Sequence, residues 1–303
     1  MIRNFVQFVR RIANFPRKSA WQMFESYVYR WIRWFPNVPA PMRLPIGAWW
    51  LLDADFIGRP LLDGGFEKAE YNFARQFVKP GMTVLDIGAH RGYYTLLFSK
   101  KVGRGGRVLS FEPSPRERKR LKLHRNINLC RNVEIKDCAL GEKEGTANLY
   151  LVYGEDTGCN SLRPPDTDLP TSPTPVLVRR LDDVLSHAGA EKVDFIKLDV
   201  EGGELEVLKG APRLLQSASR PVILCEVLEK RTRPWGYPGR FIIDYLAEMG
   251  FVWFEINDRG RIIPMEPSSP EFHGNFVAVP KESLKAVAFV REATSPADSN
   301  GTI

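Results

Sequence analysis

The stretch Val84-Leu85-Asp86-Ile87-Gly88-Ala89-His90-Arg91-Gly92-Tyr93-Tyr94 restricts the fold more than any other part of the chain. Its apolar opening reads as a buried strand, its glycine-bounded centre as a tight turn, and its aromatic end as the start of a helix. A strand delivered into a helix this way is the opening unit of a parallel α/β sheet, because an antiparallel neighbour would need only a hairpin. Glycines there let the backbone approach a ligand closely, and the amides of a helix start point toward it. Any strand-to-helix connection can use such a turn, so its surroundings decide the reading.

The same grammar recurs downstream. Short buried strands are predicted at Thr83–Ile87, Arg107–Phe111, Val133–Cys138, Val193–Leu198 and Pro221–Cys225. Amphipathic helical patterns follow four of them, at about 91–101, 114–128, 203–216 and 239–249. Alternation of this kind predicts a doubly wound α/β fold with a mostly parallel sheet and helices on both faces. Asn148–Tyr153 and Val176–Arg179 read as extra strands around a proline-rich loop. Phe251–Ile256 and Asn275–Val279 read as late strands that close the sheet antiparallel.

Each predicted parallel strand ends at a carboxylate: Asp86, Glu112, Asp137, then Asp199 with Glu201, and Glu226. Open parallel sheets bind ligands outside the carboxyl ends of their strands, so these acids should gather around one crevice. Single acids here can also be ordinary helix caps. As a set they discriminate between ligands. Asp86 beside the turn repels the pyrophosphate of a dinucleotide, whereas S-adenosylmethionine offers a sulfonium, an ammonium and a ribose diol. Glu112, 20 residues beyond Gly92, has the spacing of an acid that accepts from both ribose hydroxyls. Asp137 is placed to meet an adenine amino group, or is a solvated turn residue.

The net charge of +7 has one address. Residues 1–52 hold Arg3, Arg10, Arg11, Arg17, Lys18, Arg30, Arg33 and Arg43 against one acid, Glu25, which accounts for the whole excess. A general nucleic-acid-binding surface is therefore excluded. Phe5, Phe8, Ile12, Phe15, Trp21, Phe24, Val28, Trp31 and Phe35 recur at helical spacing, predicting an N-terminal helical appendage over residues 1–36. It has two readings: a cap on the domain or a partner subunit, and a helix on an anionic membrane surface. Pro36, Pro39, Pro41 and Pro45 then read as a linker completing a segment 1–50, and residues 281–303 as a disordered tail. Cys130, Cys138, Cys159 and Cys225 show no metal or disulfide spacing and read as buried thiols. No apolar run of about 18 residues and no leader pattern appears, so a cytoplasmic location is expected.

Asp86-Ile87-Gly88-Ala89-His90-Arg91-Gly92-Tyr93-Tyr94, Phe111-Glu112-Pro113, Ala139-Leu140-Gly141, Leu181-Asp182-Asp183 and above all the block from Phe195 to Gly210 (FIKLDVEGGELEVLKG) resemble the FkbM family of methyltransferases over about residues 65–280. His90 departs from the commoner Asn at a position that mainly needs a turn former. The resemblance implies a class I methyltransferase (Rossmann-like) fold, S-adenosylmethionine as donor, and O-methylation of a hydroxyl on a sugar, glycan or natural product. Asp86, Gly88, Ala89, Gly92, Glu112 and Asp137 are then the candidate cofactor-binding residues. Asp199 and Glu201 are the leading catalytic candidates, because a hydroxyl acceptor benefits from a base. Asp199 can instead bind the donor's methionine end, and Glu201 can cap the helix opening at Gly202; Glu226 is held in reserve. Asp199 and Glu226 lack a clear third metal ligand, so no metal is expected. Two other functions stay open: a nucleotide-dependent oxidoreductase, with Arg91 meeting a phosphate, and a non-catalytic binding protein on the same fold. The acceptor would be met by the 145–180 insertion and by the loop carrying Arg231, Arg233 and Trp235.

Overall fold

The computed structural model describes residue 31 and residues 39–52, 60–61, 66–154, 157–190, 192–265 and 271–290. The chain divides into two compact units, Met1–Phe66 and Glu67–Ile303. In the first, β1 (Ala40–Arg43) and β2 (Trp49–Leu52) pair antiparallel, with Ala40 opposite Leu52. The stretch read as a proline linker thus carries a hairpin, which tolerates Pro41 because both strands of a two-stranded ribbon are edges. The helices and membrane contact expected over residues 1–36 lie outside the described residues, apart from Trp31.

The second unit opens with α1 (Lys68–Phe77), β3 (Thr83–Ile87), α2 (Tyr93–Val102), β4 (Arg107–Phe111), α3 (Pro115–Ile127) and β5 (Val133–Lys136). An insertion of β6 (Ala139–Leu140), β7 (Gly145–Val152) and β8 (Thr171–Arg179) forms its own three-stranded sheet in the order β6-β8-β7. Then come α4 (Leu181–His187), β9 (Phe195–Leu198), α5 (Glu204–Lys209), α6 (Pro212–Leu215), β10 (Val222–Leu228), α7 (Glu229–Thr232), α8 (Arg240–Glu248), β11 (Phe251–Ile256), β12 (Ile262–Pro264) and β13 (His273–Pro280). The main sheet runs β12-β11-β13-β10-β9-β3-β4-β5. Strands β5, β4, β3, β9 and β10 are parallel, and β13 inserts antiparallel between β10 and β11. This is the doubly wound, mostly parallel sheet with late antiparallel strands that the sequence predicts. Strand order reverses between β3 and β9, the place where such sheets open a ligand crevice.

The two-residue period of a strand sorts the side chains into layers. Leu85, Ile87, Ile196, Leu198, Ile223 and Cys225 enter one core with Leu181, Leu185, Leu205, Leu208, Ile242 and Leu246 from α4, α5 and α8. Phe195 faces the opposite way, against Phe73 and Phe77 of α1 and Phe98 of α2. Asp86 and Lys197 alternate with the first set and so share that second face.

Several boundaries differ from expectation for local reasons. The helix expected over 203–216 breaks into α5 and α6, because Pro212 cannot donate to a preceding turn. Strand β5 stops at Lys136, leaving Asp137 exposed just beyond it. Strand β10 continues past Cys225 because β13 goes on pairing with it, so Glu226 lies within the strand rather than after it. The predicted tail is ordered in its first ten residues, where Val287 and Val290 are buried. All four cysteines are free and buried. Among the described residues no helix is long and apolar enough to cross a membrane.

Candidate active site

Sheet register gathers the acids. Lys136, Phe111, Ile87, Leu198 and Cys225 form one straight row across five parallel strands. The next residue on each strand is Asp137, Glu112, Gly88, Asp199 and Glu226. Four of the sequence-predicted carboxylates therefore emerge in a line at the carboxyl edge, with Gly88 at its centre. Asp86 lies one row deeper, opposite Ser110 and Lys197.

The glycine turn sits over the end of β4, where the Gly88 and Ala89 amides donate to the Phe111 carbonyl at 3.1 and 2.9 Å. Glycine is required here by the chain itself. A Cβ on Gly88 (φ +85°) would stand 1.7 Å from the Asp199 carbonyl oxygen, and one on Gly92 (φ +94°) 2.5 Å from Leu121 Cδ1. The glycines thus serve close strand and helix packing, a tighter demand than the ligand approach read from sequence. His90 takes a positive φ of 48° and lends its amide to Glu112 Oε2 at 2.7 Å, while the Ser114 amide donates to Oε1 at 2.8 Å. Burial, against the pull of these amides, pushes the Glu112 carboxyl up to about 8. Each oxygen keeps a further lone pair beyond the amide it accepts from. Asp137 is exposed on the neighbouring strand end.

Asp86 is buried and bound by the Thr95 hydroxyl, which also pairs with Ser110 at 2.9 Å. Burial raises its carboxyl to about 6 despite the Thr95 bond. Lys197, which sequence reading passed over, is the cation of this face: its Nζ lies 2.6 Å from Asp199 Oδ2 and 5.1 Å from the Tyr94 ring centre. Burial would discharge it, but Asp199, Glu67 and Glu226 outweigh burial and hold its pKa above the usual lysine value. Glu67 was also missed. It stands in left-handed backbone just before α1, and burial raises its carboxyl.

Beyond β9 the turn is shaped by Glu204, whose Oε1 accepts from the Val200 amide at 2.9 Å and the Gly202 amide at 3.2 Å. Glu204, rather than Glu201, thus does the capping at this turn. Glu201 sits at φ 59°, with its carbonyl held by the Ser161 hydroxyl at 2.8 Å and the Trp235 indole at 3.3 Å. Its carboxylate pairs with Arg231 Nε at 2.7 Å. Carboxylate oxygens of Asp199, Glu201 and Glu226 lie within 4.8 Å of one another. Glu201 is thus the third ligand that the sequence reading did not find beside Asp199 and Glu226, while Lys197 pairs with Asp199 and Arg231 with Glu201.

A small open cleft lies beside Glu201, lined by Ser161, Arg163 and Asp166 of the insertion and by Lys230, Arg231 and Pro234. Arg163 stacks over Trp235 at 5.1 Å. The insertion and the loop carrying Arg231 therefore converge beside Glu201, although Arg233 itself is exposed. Arg91 is held by Glu117 at 3.0 Å instead of standing ready for a phosphate. His273 is exposed and pairs with Glu271.

Residues 86–253 match the family model of the methyltransferase FkbM domain. The chain is 29% identical over 208 residues to the AMB antimetabolite synthetase AmbE of Pseudomonas aeruginosa, a match spanning 57% of this chain and 10% of that protein. It is 27% identical over 186 residues to the 2-O-methyltransferase NoeI of Sinorhizobium fredii, spanning 57% of this chain and 74% of NoeI. Among solved structures, the methyltransferase FkbM of Methylobacillus flagellatus aligns with a TM-score of 0.42 and 18% identity, over 75% of this chain and 56% of that one.

Proposed function

The chain belongs to the FkbM methyltransferase family, and from that premise we propose that it methylates a hydroxyl oxygen of a sugar, glycan or other natural product. Its donor is S-adenosylmethionine, which supplies a methyl group on a cationic sulfur. The observation that carries this reading is the row of carboxylates along the edge of the parallel sheet. Glu67, Asp86, Asp199 and Glu226 surround one buried ammonium, Lys197, leaving a field that favours a further cation. Glu112 would hold the ribose diol, with Gly88, Ala89 and Gly92 forming the floor beside it and Asp137 near the base. The oxygen acceptor draws support from NoeI, named as a 2-O-methyltransferase.

Displacement at an already activated methyl carbon asks mainly for alignment. The rigid turn and the clamped Glu201 backbone provide it from two sides of the reversal point. Glu201 lines the cleft and the Asp199 carboxylate stands within 4.8 Å of its own, so these two are the catalytic candidates for relieving an acceptor there of its proton. A dinucleotide enzyme is disfavoured by the same row, since its pyrophosphate would meet Glu112 and Asp199 while Arg91 is already engaged.

Calorimetry with S-adenosylmethionine against NAD tests the donor. Labelled methyl transfer into glycan and small-molecule fractions of the source cell tests the acceptor, with alkali-stable label expected for an ether. Binding of NAD alone, or label released by mild base, would refute the reading. The proposal includes a cytoplasmic site of action, with residues 1–36 serving either as a cap on the domain or a partner subunit or as a contact with an anionic membrane surface. Equal liposome co-sedimentation with and without residues 1–45 would remove the membrane contact.

A further inference from the structure

We propose that Glu226 is the residue that takes the proton from the acceptor hydroxyl, with Asp199 and Glu201 positioned beside it by their own cations. This rests on the reading of the chain as an O-methyltransferase and names the base within it. The three carboxylates share one small volume but not one condition. Asp199 is bound at 2.6 Å by Lys197 and Glu201 at 2.7 Å by Arg231. Glu226 Oε2 is buried and has no hydrogen-bond partner among the described residues. Opposite Glu226 in the β10–β13 register stands Asn275, whose Oδ1 is likewise buried and unpartnered, while its amide nitrogen reaches Glu70 at 3.5 Å. Register partners on antiparallel strands share a face. Two residues opposite each other in the register thus each carry a buried oxygen without a hydrogen-bond partner, which a group that donates a hydrogen bond would complete. Buried acceptors left unmatched are costly, so such a pair is poised for a donor such as a hydroxyl.

The charged groups facing Glu226 are Asp199, Glu201 and Lys197 from β9 and its turn, Glu204 from α5, and Arg231 from α7. Burial first, then the three neighbouring acids, hold its carboxyl well above the carboxylate range, with Lys197 opposing them. These neighbours favour the protonated carboxyl before the donor binds, and a cation admitted to the acid row shifts the balance toward the ionised form that can accept a proton. In the reaction the acceptor O–H bond breaks and its proton passes to Glu226 Oε2. The oxygen's electron pair forms the new C–O bond, and the C–S bond breaks with its pair remaining on sulfur, whose positive charge disappears.

Two measurements on the full chain test the assignment. Calorimetric titration with S-adenosylmethionine and with S-adenosylhomocysteine, in phosphate and in Tris, counts protons released on binding. The wild type should release more with the cationic nucleoside than with the neutral one, and Glu226→Gln, which mimics the protonated acid and keeps the fold, should erase that difference. An unchanged difference in Glu226→Gln would overturn the proposal. With the acceptor identified by label transfer, Glu226→Gln should lower kcat at saturating donor by about 10²–10⁴-fold and should remove the acidic limb of the pH–rate profile. Glu226→Asp should recover part of the rate and keep the limb. A wild-type kcat in Glu226→Gln, or activity lost to EDTA and restored by Mg²⁺, would overturn it as well. Failure of both nucleosides to bind would sink the methyltransferase reading first, and this assignment with it.

Discussion

Replacing Gly88 by alanine puts the packing of the turn to a direct test. The new Cβ would stand 1.7 Å from the Asp199 carbonyl oxygen and 2.8 Å from its carbon, where real contacts stop near 3.0 Å. Both obstacles are backbone, so β3 and β9 must part by more than an ångström. Parting breaks the bond from the Asp199 amide to the Ile87 carbonyl, now 3.1 Å long, at a cost of about 1 kcal/mol. Holding alanine in left-handed backbone adds about 1–2 kcal/mol. The expected loss of stability is about 2–4 kcal/mol, a large share of the roughly 5–15 kcal/mol of an ordinary domain. Because the same motion displaces Asp199, affinity for S-adenosylmethionine should fall at least about tenfold, or about 1.4 kcal/mol. Gly92→Ala is the control: its Cβ meets only the rotatable end of Leu121, at 2.5 Å, so about 1–2 kcal/mol should be lost. Urea denaturation and calorimetry read both quantities. Equal losses in the two variants, or wild-type behaviour of Gly88→Ala, would refute the argument.

Stability of the ligand-free protein should fall as pH rises from about 6.5 to 8. In that window an unfolded glutamate is already ionised, while Glu112 still holds its proton up to about 8; its contribution is fully present below the unfolded value and is lost as pH passes the folded one, by about 1–2 kcal/mol over the window. Glu112→Gln should flatten that fall in urea midpoints measured across pH, and an unchanged slope would count against it. Lys197→Met leaves buried carboxylates without their cation and should cost about 3–5 kcal/mol, read from the same denaturation curves; a neutral result would mean that Lys197 does not offset them. EDTA should leave methyl transfer unchanged, since Lys197 and Arg231 already balance the acid trio; loss of turnover on chelation would contradict that balance.

Much of this architecture was legible because it is written locally. Thr83–Ile87, Arg107–Phe111 and Phe251–Ile256 have the boundaries that apolar runs and turn residues announce. The acids at strand ends were readable because a parallel sheet turns similar positions in sequence into neighbours in space. Lys197 was not, since a lysine inside Phe195–Leu198 looks like a blemish in a buried strand until the register sets it opposite Asp86. Glu67 precedes a helix the apolar pattern did not announce, and its link to Lys197 spans most of the unit. The division of labour between Glu201 and Glu204 was equally hidden: both stand near a helix start, and only the positive φ of Glu201 turns one outward and leaves the other to bind the amides.

The placement of β13 has a bearing on how the molecule is made. A ribosome completes β3, β4 and their glycine turn early, whereas the strand that aligns Glu226 is the last of the sheet to emerge. The pairing that sets Glu226 opposite Asn275 therefore forms only once synthesis has passed residue 280, after every parallel strand of the sheet has been made.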